Sequence, residues 1–126
     1  SDGDVSGVIY VVDDKFPVDI YLGIGGGREG VLAAAALSCL GGQIQGRLYL
    51  NEEQKIKVKK MGIIDYKKKF NIDEMIKGDV MFFATGVTNG DLIKGIKDQG
   101  EYFEASTLVL HKDSKTNKII TNKHKK

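Results

Sequence analysis

Stretches of apolar residues, separated by polar and glycine-rich stretches, divide this chain into short elements. Residues 18–24, VDIYLGI, are apolar apart from one aspartate, and such a run predicts a strand that is covered on both faces. Residues 29–40, EGVLAAAALSCL, consist mostly of strong helix formers and predict a helix. The glycines at 41 and 42 predict that this helix ends in a residue with left-handed backbone conformation, a left-handed stop. The pattern therefore predicts a strand, a glycine loop and a helix, in that order.

The second half of the chain predicts shorter elements. Residues 51–62 are amphipathic and begin at Asn51, a favourable N-cap, so they predict a short helix. Two apolar stretches that flank a polar turn predict a terminal hairpin, at residues 106–113 and 117–124. The remaining predictions are strands at residues 43–50 and 80–88, a helical turn at residues 71–79 and, at residues 5–12, either a strand or a packed helix.

The order of these elements predicts the fold class. It is typical of an α/β fold, a layered domain in which helices flank a mixed β-sheet. At 126 residues the chain has the length of one domain, and we interpret residues 1–126 as a single domain.

Composition favours a soluble, cytoplasmic protein. Hydrophobic residues make up 41% of the chain, and no apolar run approaches the roughly 20 residues of a membrane span. The single cysteine, Cys39, excludes an internal disulfide and is more typical of a small core residue than of a nucleophile. His111 and His124 have no second ligand at metal-binding spacing, and we interpret both as surface residues.

Charge is distributed unevenly along the chain. Residues 1–50 have a net charge of −3 and residues 51–126 a net charge of +5, which give the net +2 of the whole chain. Nearly all of the basic residues are lysines without interleaved aromatic residues, whereas specific nucleic-acid readers favour arginine forks and stacking platforms. We therefore expect a solvated surface rather than a nucleic-acid interface, and no membrane contact.

A glycine-rich loop precedes the predicted alanine-rich helix. Residues 25–30, GGGREG, satisfy the G-x-G-x-x-G pattern between a predicted strand and a helix, the setting of a dinucleotide-binding loop. Glu29 argues against this simple interpretation, because a carboxylate repels a pyrophosphate unless a cation lies between them. Two interpretations stay open: Glu29 caps its own helix, or it holds a divalent cation that bridges protein and phosphate.

Two other motifs have both a structural and a functional interpretation. Asp2 and Asp4 flank Gly3, and two carboxylates at this spacing can bind sugar hydroxyls or a cation, or can cap an exposed turn. Residues 84–91, ATGVTNGD, end a predicted strand with hydroxyls and open amides that suit a phosphate. Turn formation explains these residues equally well, and we favour it.

Four segments in consistent order resemble the C-terminal half of one enzyme family, the class II or GlpX-type fructose-1,6-bisphosphatases. The segments are DGDV (residues 2–5), VDIYLGIGGGREGVLAAAALSCLGG (18–42), FFATGVTNGDLIKGI (82–96) and STLVLHKDS (106–114). The resemblance implies the layered fold of the metal-dependent sugar phosphatases. It also implies the hydrolase activity of gluconeogenesis in which Mn²⁺ or Mg²⁺ supports removal of the 1-phosphate from fructose 1,6-bisphosphate, leaving fructose 6-phosphate.

The resemblance also assigns roles to individual residues. It implies that Asp2, Gly3 and Asp4 contact the sugar, that Gly26 lies against the substrate and that Glu29 is a metal ligand. The metal interpretation of Glu29 is thereby favoured over the capping interpretation. The family's other metal-binding acids and its basic phosphate-binding residues lie upstream of the DGD segment, so no catalytic residue is expected in this chain.

The resemblance further implies that this chain is the C-terminal part of a longer enzyme, a homo-oligomer when intact. We expect it to need the N-terminal half and to be inactive alone. The sequence departs from the family pattern at Gly27 and Arg28, where Ala-Pro is common, and at His111, where an arginine is usual. The family resemblance does not distinguish fructose from sedoheptulose bisphosphate as substrate.

Two alternative functions also follow from the sequence. One is a dinucleotide-binding module built on GGGREG, although no clear ribose-binding acid ends residues 43–50, which are followed by Asn51 and Glu52. The other is a non-catalytic binding or assembly domain.

Overall fold

The computed structural model describes residues 4–126 and consists of packed helices and antiparallel sheets. The helices of this part are α1 (Asp4–Ile9), α2 (Gly27–Leu40), α3 (Glu52–Lys60) and α4 (Ile72–Met75). The strands are β1 (Gln45–Arg47), β2 (Lys69–Asn71), β3 (Met81–Thr85), β4 (Lys97–Asp98), β5 (Tyr102–His111) and β6 (Thr116–Lys125). The predicted α/β class, with helices flanking a sheet, is confirmed.

Helix α2 is the central element of the fold. It packs against α1 and α4 on one side and against β3 and β5 on the other. Its alanines permit this close packing because they add little volume between the backbones, and the buried residues of α2 are Ala33, Ala34, Ala36 and Leu37. Gly41 ends the helix with φ 77°, and its N–H donates to the Leu37 carbonyl, so the predicted left-handed stop is confirmed.

Two clusters of buried side chains meet at α2 and form the core. The first joins α1, α2 and α4, and it contains Val8, Ala33, Ala34, Leu37 and Ile72. The second joins α1 and α2 to the larger sheet, and it contains Ile9, Ala36, Phe82, Leu108 and Leu110. The glycine loop that precedes α2 is therefore attached to the helix at which both core clusters meet.

The larger sheet contains four strands around β5. Strands β3 and β4 pair with β5, as does β6, and all of these pairs are antiparallel. The hairpin of β5 and β6 confirms the predicted terminal hairpin and is longer than the sequence pattern indicated. Parallel pairs, which a mixed sheet contains, do not occur among the described strands.

A two-stranded ribbon and α3 form the middle of the chain. Strands β1 and β2 pair antiparallel, so the predicted strand at residues 43–50 is confirmed at its centre only. Asn51 accepts a hydrogen bond from the Gln54 N–H, and the Gln54 side chain accepts one from the Asn51 N–H. This capping box confirms the predicted start of α3.

Two predictions in the first quarter of the chain have different outcomes. Residues 5–12, which the sequence left open, begin as the helix α1, whose small Ser6 and Gly7 permit close packing. The predicted buried strand at residues 18–24 is wrong: the structure has no strand there, and Ile20, Leu22 and Ile24 are 70–84% exposed. An apolar run forms a strand only beside a pairing partner, and no described strand pairs with it.

Removal of a core side chain should test this packing. Leu110 is fully buried in the second core cluster. We expect Leu110→Ala to lower the free energy of unfolding by about 2–5 kcal/mol, because it removes apolar contacts and leaves a cavity. Ile119→Ala, on the neighbouring strand β6 with a side chain 53% exposed, should cost less than about 1 kcal/mol. Chemical denaturation of both variants measures the difference, and equal losses would contradict the assigned core.

Candidate functional site

The glycine loop leads directly into the first turn of α2. Gly26 is the N-cap in an extended conformation, with φ −66° and ψ 148°, and its carbonyl accepts a hydrogen bond from the Gly30 N–H at 3.0 Å. Gly26, Gly27 and Glu29 are all exposed to solvent. The free N–H groups of this first turn and the positive end of the helix dipole therefore face an accessible surface.

Gly26 and Glu29 are in direct contact. The Glu29 side chain folds back over the N-cap, so that a Cβ at residue 26 would overlap the Glu29 Oε2. At Gly27, by contrast, an added Cβ would meet open space. Two of the residues assigned by resemblance are thus brought together, and the missing side chain of Gly26 is what permits their close approach.

The Glu29 carboxylate has no partner within the chain segment at 4–126. It forms no hydrogen bond or ion pair there, and Gly26 receives no side-chain capping hydrogen bond. The favourable interaction of Glu29 with the helix dipole remains, but the carboxylate oxygens stay available to a ligand. The structure therefore gives no support to a hydrogen-bonded cap as the role of Glu29.

Tyr21 connects the loop to α1. A Cβ added at Gly7 would meet the Tyr21 ring 2.6 Å from its Cε2 atom, and one at Gly23 would lie 3.1 Å from Cε1. The ring thus fills the space left by two glycines, one in α1 and one in the loop. This packing holds the glycine loop beside the helix that begins at Asp4.

The other residues assigned by resemblance are only partly described. Asp2 and Gly3 lie outside the described residues, and Asp4 is the first residue of α1. Between residues 4 and 126, no three histidine, cysteine, aspartate or glutamate side chains come together as a possible metal site. Mg²⁺ is usually held by one or two carboxylates together with waters and substrate phosphate oxygens, so the described residues offer Glu29 as a single carboxylate ligand without a cluster of acids around it.

The threonine- and glycine-rich segment at residues 84–91 is explained by turn formation. A Cβ at Gly86 would overlap the Lys94 carbonyl, and one at Gly95 would lie 2.5 Å from the Thr88 carbonyl carbon. Asn89 fixes the turn because its Oδ1 accepts the Gly95 N–H at 3.0 Å. The favoured structural interpretation of this motif is supported, since close backbone approach accounts for the glycines.

The arrangement of strands does not support the dinucleotide-binding alternative. Such a site requires a strand before the loop and a parallel strand after the helix. Among the described elements, no strand precedes α2, and β1, which follows it, pairs antiparallel with β2. The acidic residue after β1 is also engaged, because Glu52 forms an ion pair with Lys55 at 2.6 Å.

A polar cluster around His111 was missed by sequence reasoning. His111 Nε2 lies 2.6 Å from Asp79 Oδ2, and His111 Nδ1 lies 2.7 Å from Ser114 Oγ. The Asp79 Oδ1 also accepts the N–H groups of Val80 and Asp113. These hydrogen bonds connect the β5–β6 turn to the residues just before β3. Asp79 and His111 are 32 residues apart, so no local pattern identifies the pair.

The hydrogen bond from His111 lowers the pKa of Asp79 below its ordinary value. A lowered carboxyl pKa contributes stability above the unfolded-state pKa of about 3.9, and this stability is lost as pH falls through the folded-state value. We expect Asp79→Asn to lower the melting temperature at pH 7 and to have a smaller effect below pH ~4. Asp14→Asn, in an exposed loop, is the control. A pH-independent difference between the two variants, followed by thermal denaturation, would contradict the assignment.

The cysteine prediction agrees with the structure. Cys39 is half-buried on α2, and its thiol donates to the Val80 carbonyl at 3.5 Å. Burial raises the pKa of Cys39, which disfavours the nucleophilic thiolate.

Over residues 4–126, no helix is long and apolar enough to cross a membrane.

The fold and the glycine loop together define an α/β, phosphatase-like domain. The model of one family, "Bacterial fructose-1,6-bisphosphatase, glpX-encoded", matches residues 1–124. The chain belongs to this family. The resemblance read from the four sequence segments is thereby confirmed.

Curated relatives agree with the family assignment. The chain is 34% identical to the D-fructose 1,6-bisphosphatase class 2/sedoheptulose 1,7-bisphosphatase of Synechococcus sp. (strain JA-3-3Ab), over 100% of this chain and 40% of the relative. It is 32% identical to fructose-1,6-bisphosphatase 2 class 2 of Escherichia coli (strain K12), over 98% of this chain and 43% of the relative. It is 36% identical to fructose-1,6-bisphosphatase class 2 of Haemophilus influenzae (strain ATCC 51907 / DSM 11121 / KW20 / Rd), over 98% of this chain and 41% of the relative. The chain thus spans less than half the length of these relatives.

Proposed function

We propose that this chain is the C-terminal part of a cytoplasmic sugar bisphosphatase of gluconeogenesis. The complete protein hydrolyses the 1-phosphate of fructose 1,6-bisphosphate and releases fructose 6-phosphate and inorganic phosphate. The observation that carries this proposal is the family match over residues 1–124. The contact between Gly26 and Glu29 at the start of α2 supports it, because Glu29 has no partner among residues 4–126 and an accessible carboxylate beside open amides suits a site for a cation and a phosphate.

Within this site, the residues of the chain have separate roles. Gly26 gives the sugar phosphate room to approach the backbone, and Glu29 supplies one carboxylate to a divalent cation, Mn²⁺ or Mg²⁺. Such a cation, when bound, neutralises phosphate charge and lowers the pKa of a bound water. The remaining ligands come from outside residues 4–126, because Glu29 has no acidic neighbours there that complete a metal site. Asp2, Gly3 and Asp4 bind the sugar hydroxyls.

The substrate assay tests the proposed function directly. The complete protein should release phosphate from fructose 1,6-bisphosphate when Mn²⁺ or Mg²⁺ is present and lose this activity in EDTA. Sedoheptulose 1,7-bisphosphate is assayed in parallel, because the name of the Synechococcus relative includes that activity. Absence of metal-dependent release from both sugars would reject the proposal.

The 126-residue chain alone should be inactive. Within residues 4–126 no cluster of acidic or histidine side chains forms around Glu29 to fix a catalytic cation, so we expect no phosphate release above a metal-free control. The measurement is phosphate release by the chain alone with Mn²⁺ at the protein concentration used for the complete enzyme. Turnover by the isolated chain would contradict the division of the site between two parts of the protein.

A further inference from the structure

The ribbon formed by β1 and β2 places two positive side chains opposite each other. Arg47 and Lys69 are directly paired residues in this antiparallel ribbon, and both are exposed. Gly46 and Phe70, the next pair, are half-buried, so alternation along the strands puts Arg47 and Lys69 together on the outer face. Like charges directly opposite each other destabilise a strand pair. An anion bound between them would remove this cost.

Neither cation is neutralised within the described part of the chain. Other lysines nearby have acidic partners: Lys55 pairs with Glu52 at 2.6 Å, and Lys68 pairs with Glu74 at 2.7 Å. Arg47 and Lys69 form no ion pair or side-chain hydrogen bond with residues 4–126. They are therefore available to an external anion.

Two surface hollows meet at Arg47. The larger, with a volume of about 490 Å³, extends from Arg47 along Tyr49 and Lys55 to Tyr66 and Lys67. The smaller, of about 180 Å³, is lined by Gln45, Gly46, Arg47 and Lys69. Arg47 thus borders both a small hollow shared with Lys69 and a larger one with space for an organic molecule.

The larger hollow combines aromatic and basic side chains. Tyr49 is 81% exposed at its edge, and the Tyr66 hydroxyl donates to the Lys55 carbonyl at 3.4 Å. Asp65 is the acidic residue of the hollow, and its Oδ1 accepts the Lys67 N–H. An exposed aromatic ring near Arg47, which has no ion-pair partner among residues 4–126, suits a ligand that has both an anionic and an apolar part.

We infer that Arg47 and Lys69 bind the phosphate group of a small phosphorylated compound whose organic part lies against Tyr49. Arginine presents a planar fork that matches phosphate oxygens, and lysine adds a second positive charge. The site is separate from the Glu29 site. Glu29 lies in the first turn of α2, whereas the ribbon follows the other end of this helix, and neither hollow is lined by Gly26 or Glu29.

Calorimetric titration of the complete protein in EDTA tests this site, with inorganic phosphate and phenyl phosphate as probes. The variants Arg47→Gln and Lys69→Gln should each weaken phosphate binding at least tenfold. Lys118→Gln, which removes an exposed lysine on β6, is the matched control and should change the affinity less than twofold. Phenyl phosphate should bind more tightly than phosphate, and Tyr49→Ala should remove this advantage.

A second measurement separates ligand binding from a structural role. Without phosphate, Arg47→Gln should melt at the same or a higher temperature than the unmodified protein, since the like-charge repulsion is removed. Added phosphate should raise the melting temperature of the unmodified protein but not that of Arg47→Gln. No saturable phosphate binding, or equal affinity in both ribbon variants and the unmodified protein, would overturn the site. An unchanged phenyl phosphate advantage in Tyr49→Ala would overturn the placement of the organic part.

Discussion

Glu29→Gln should lower the turnover of fructose 1,6-bisphosphate by the complete enzyme at least 100-fold while the fold is retained. The loss corresponds to about 2.7 kcal/mol of transition-state stabilisation. The variant keeps the size of the side chain and removes its charge, so we expect the loss to come from impaired binding of the proposed cation. The fold should survive because the Glu29 carboxylate has no hydrogen bond or ion pair within residues 4–126. Steady-state phosphate release at saturating Mn²⁺, with circular dichroism of the same sample, measures both parts.

Glu52→Gln is a control for the general effect of an acid near a helix start. Glu52 lies in the first turn of α3, as Glu29 lies in the first turn of α2, and it has an ion-pair partner in Lys55. Its replacement should leave turnover within about twofold, because the loss is limited to a surface ion pair and a dipole interaction. If Glu29→Gln also retained turnover within about threefold, or ~0.7 kcal/mol, Glu29 would not be an essential ligand.

Gly26→Ala should lower turnover about 10- to 100-fold, whereas Gly27→Ala should have little effect. A Cβ at Gly26 would overlap the Glu29 Oε2, so the carboxylate must move away from the N-cap. A misplacement of about 1 Å at a reacting centre can lower the rate roughly 100-fold. At Gly27 the added Cβ meets open space, and alanine there also favours the helix.

The two glycine variants separate a specific contact from general stiffening of the loop. Both changes add one methyl group and restrict the backbone, but only the first affects Glu29. Turnover and thermal stability of the complete protein are the measurements. Equal losses of turnover in the two variants would contradict the role assigned to the contact between Gly26 and Glu29.

The parts of the fold that the sequence predicted well are those with strong local signals. Helix α2 contains a long run of alanine and leucine and ends at Gly41, and α3 begins at a capping residue, Asn51. The β5–β6 hairpin follows from two apolar stretches around a polar turn. These elements depend on residues close in sequence, so a single sequence was sufficient to locate them.

The parts that could not be predicted depend on distant residues. The apolar run at residues 18–24 indicates burial, but hydropathy does not identify the neighbour that would bury it, and its side chains are exposed here. The contact of His111 with Asp79 joins residues 32 positions apart, and the pairing of Arg47 with Lys69 depends on the ribbon register. For the candidate site, the sequence indicated Gly26 and Glu29 individually, and the structure added their direct contact.

The proposed role of Glu29 as a ligand of a catalytic divalent cation can be tested by measuring the affinity of the protein for Mn²⁺. Electron paramagnetic resonance of free Mn²⁺ gives the affinity of the complete protein without relying on turnover. We expect at least a tenfold loss of Mn²⁺ affinity in Glu29→Gln and less than a twofold change in Glu52→Gln. Equal Mn²⁺ affinity in Glu29→Gln and the unmodified protein would contradict it.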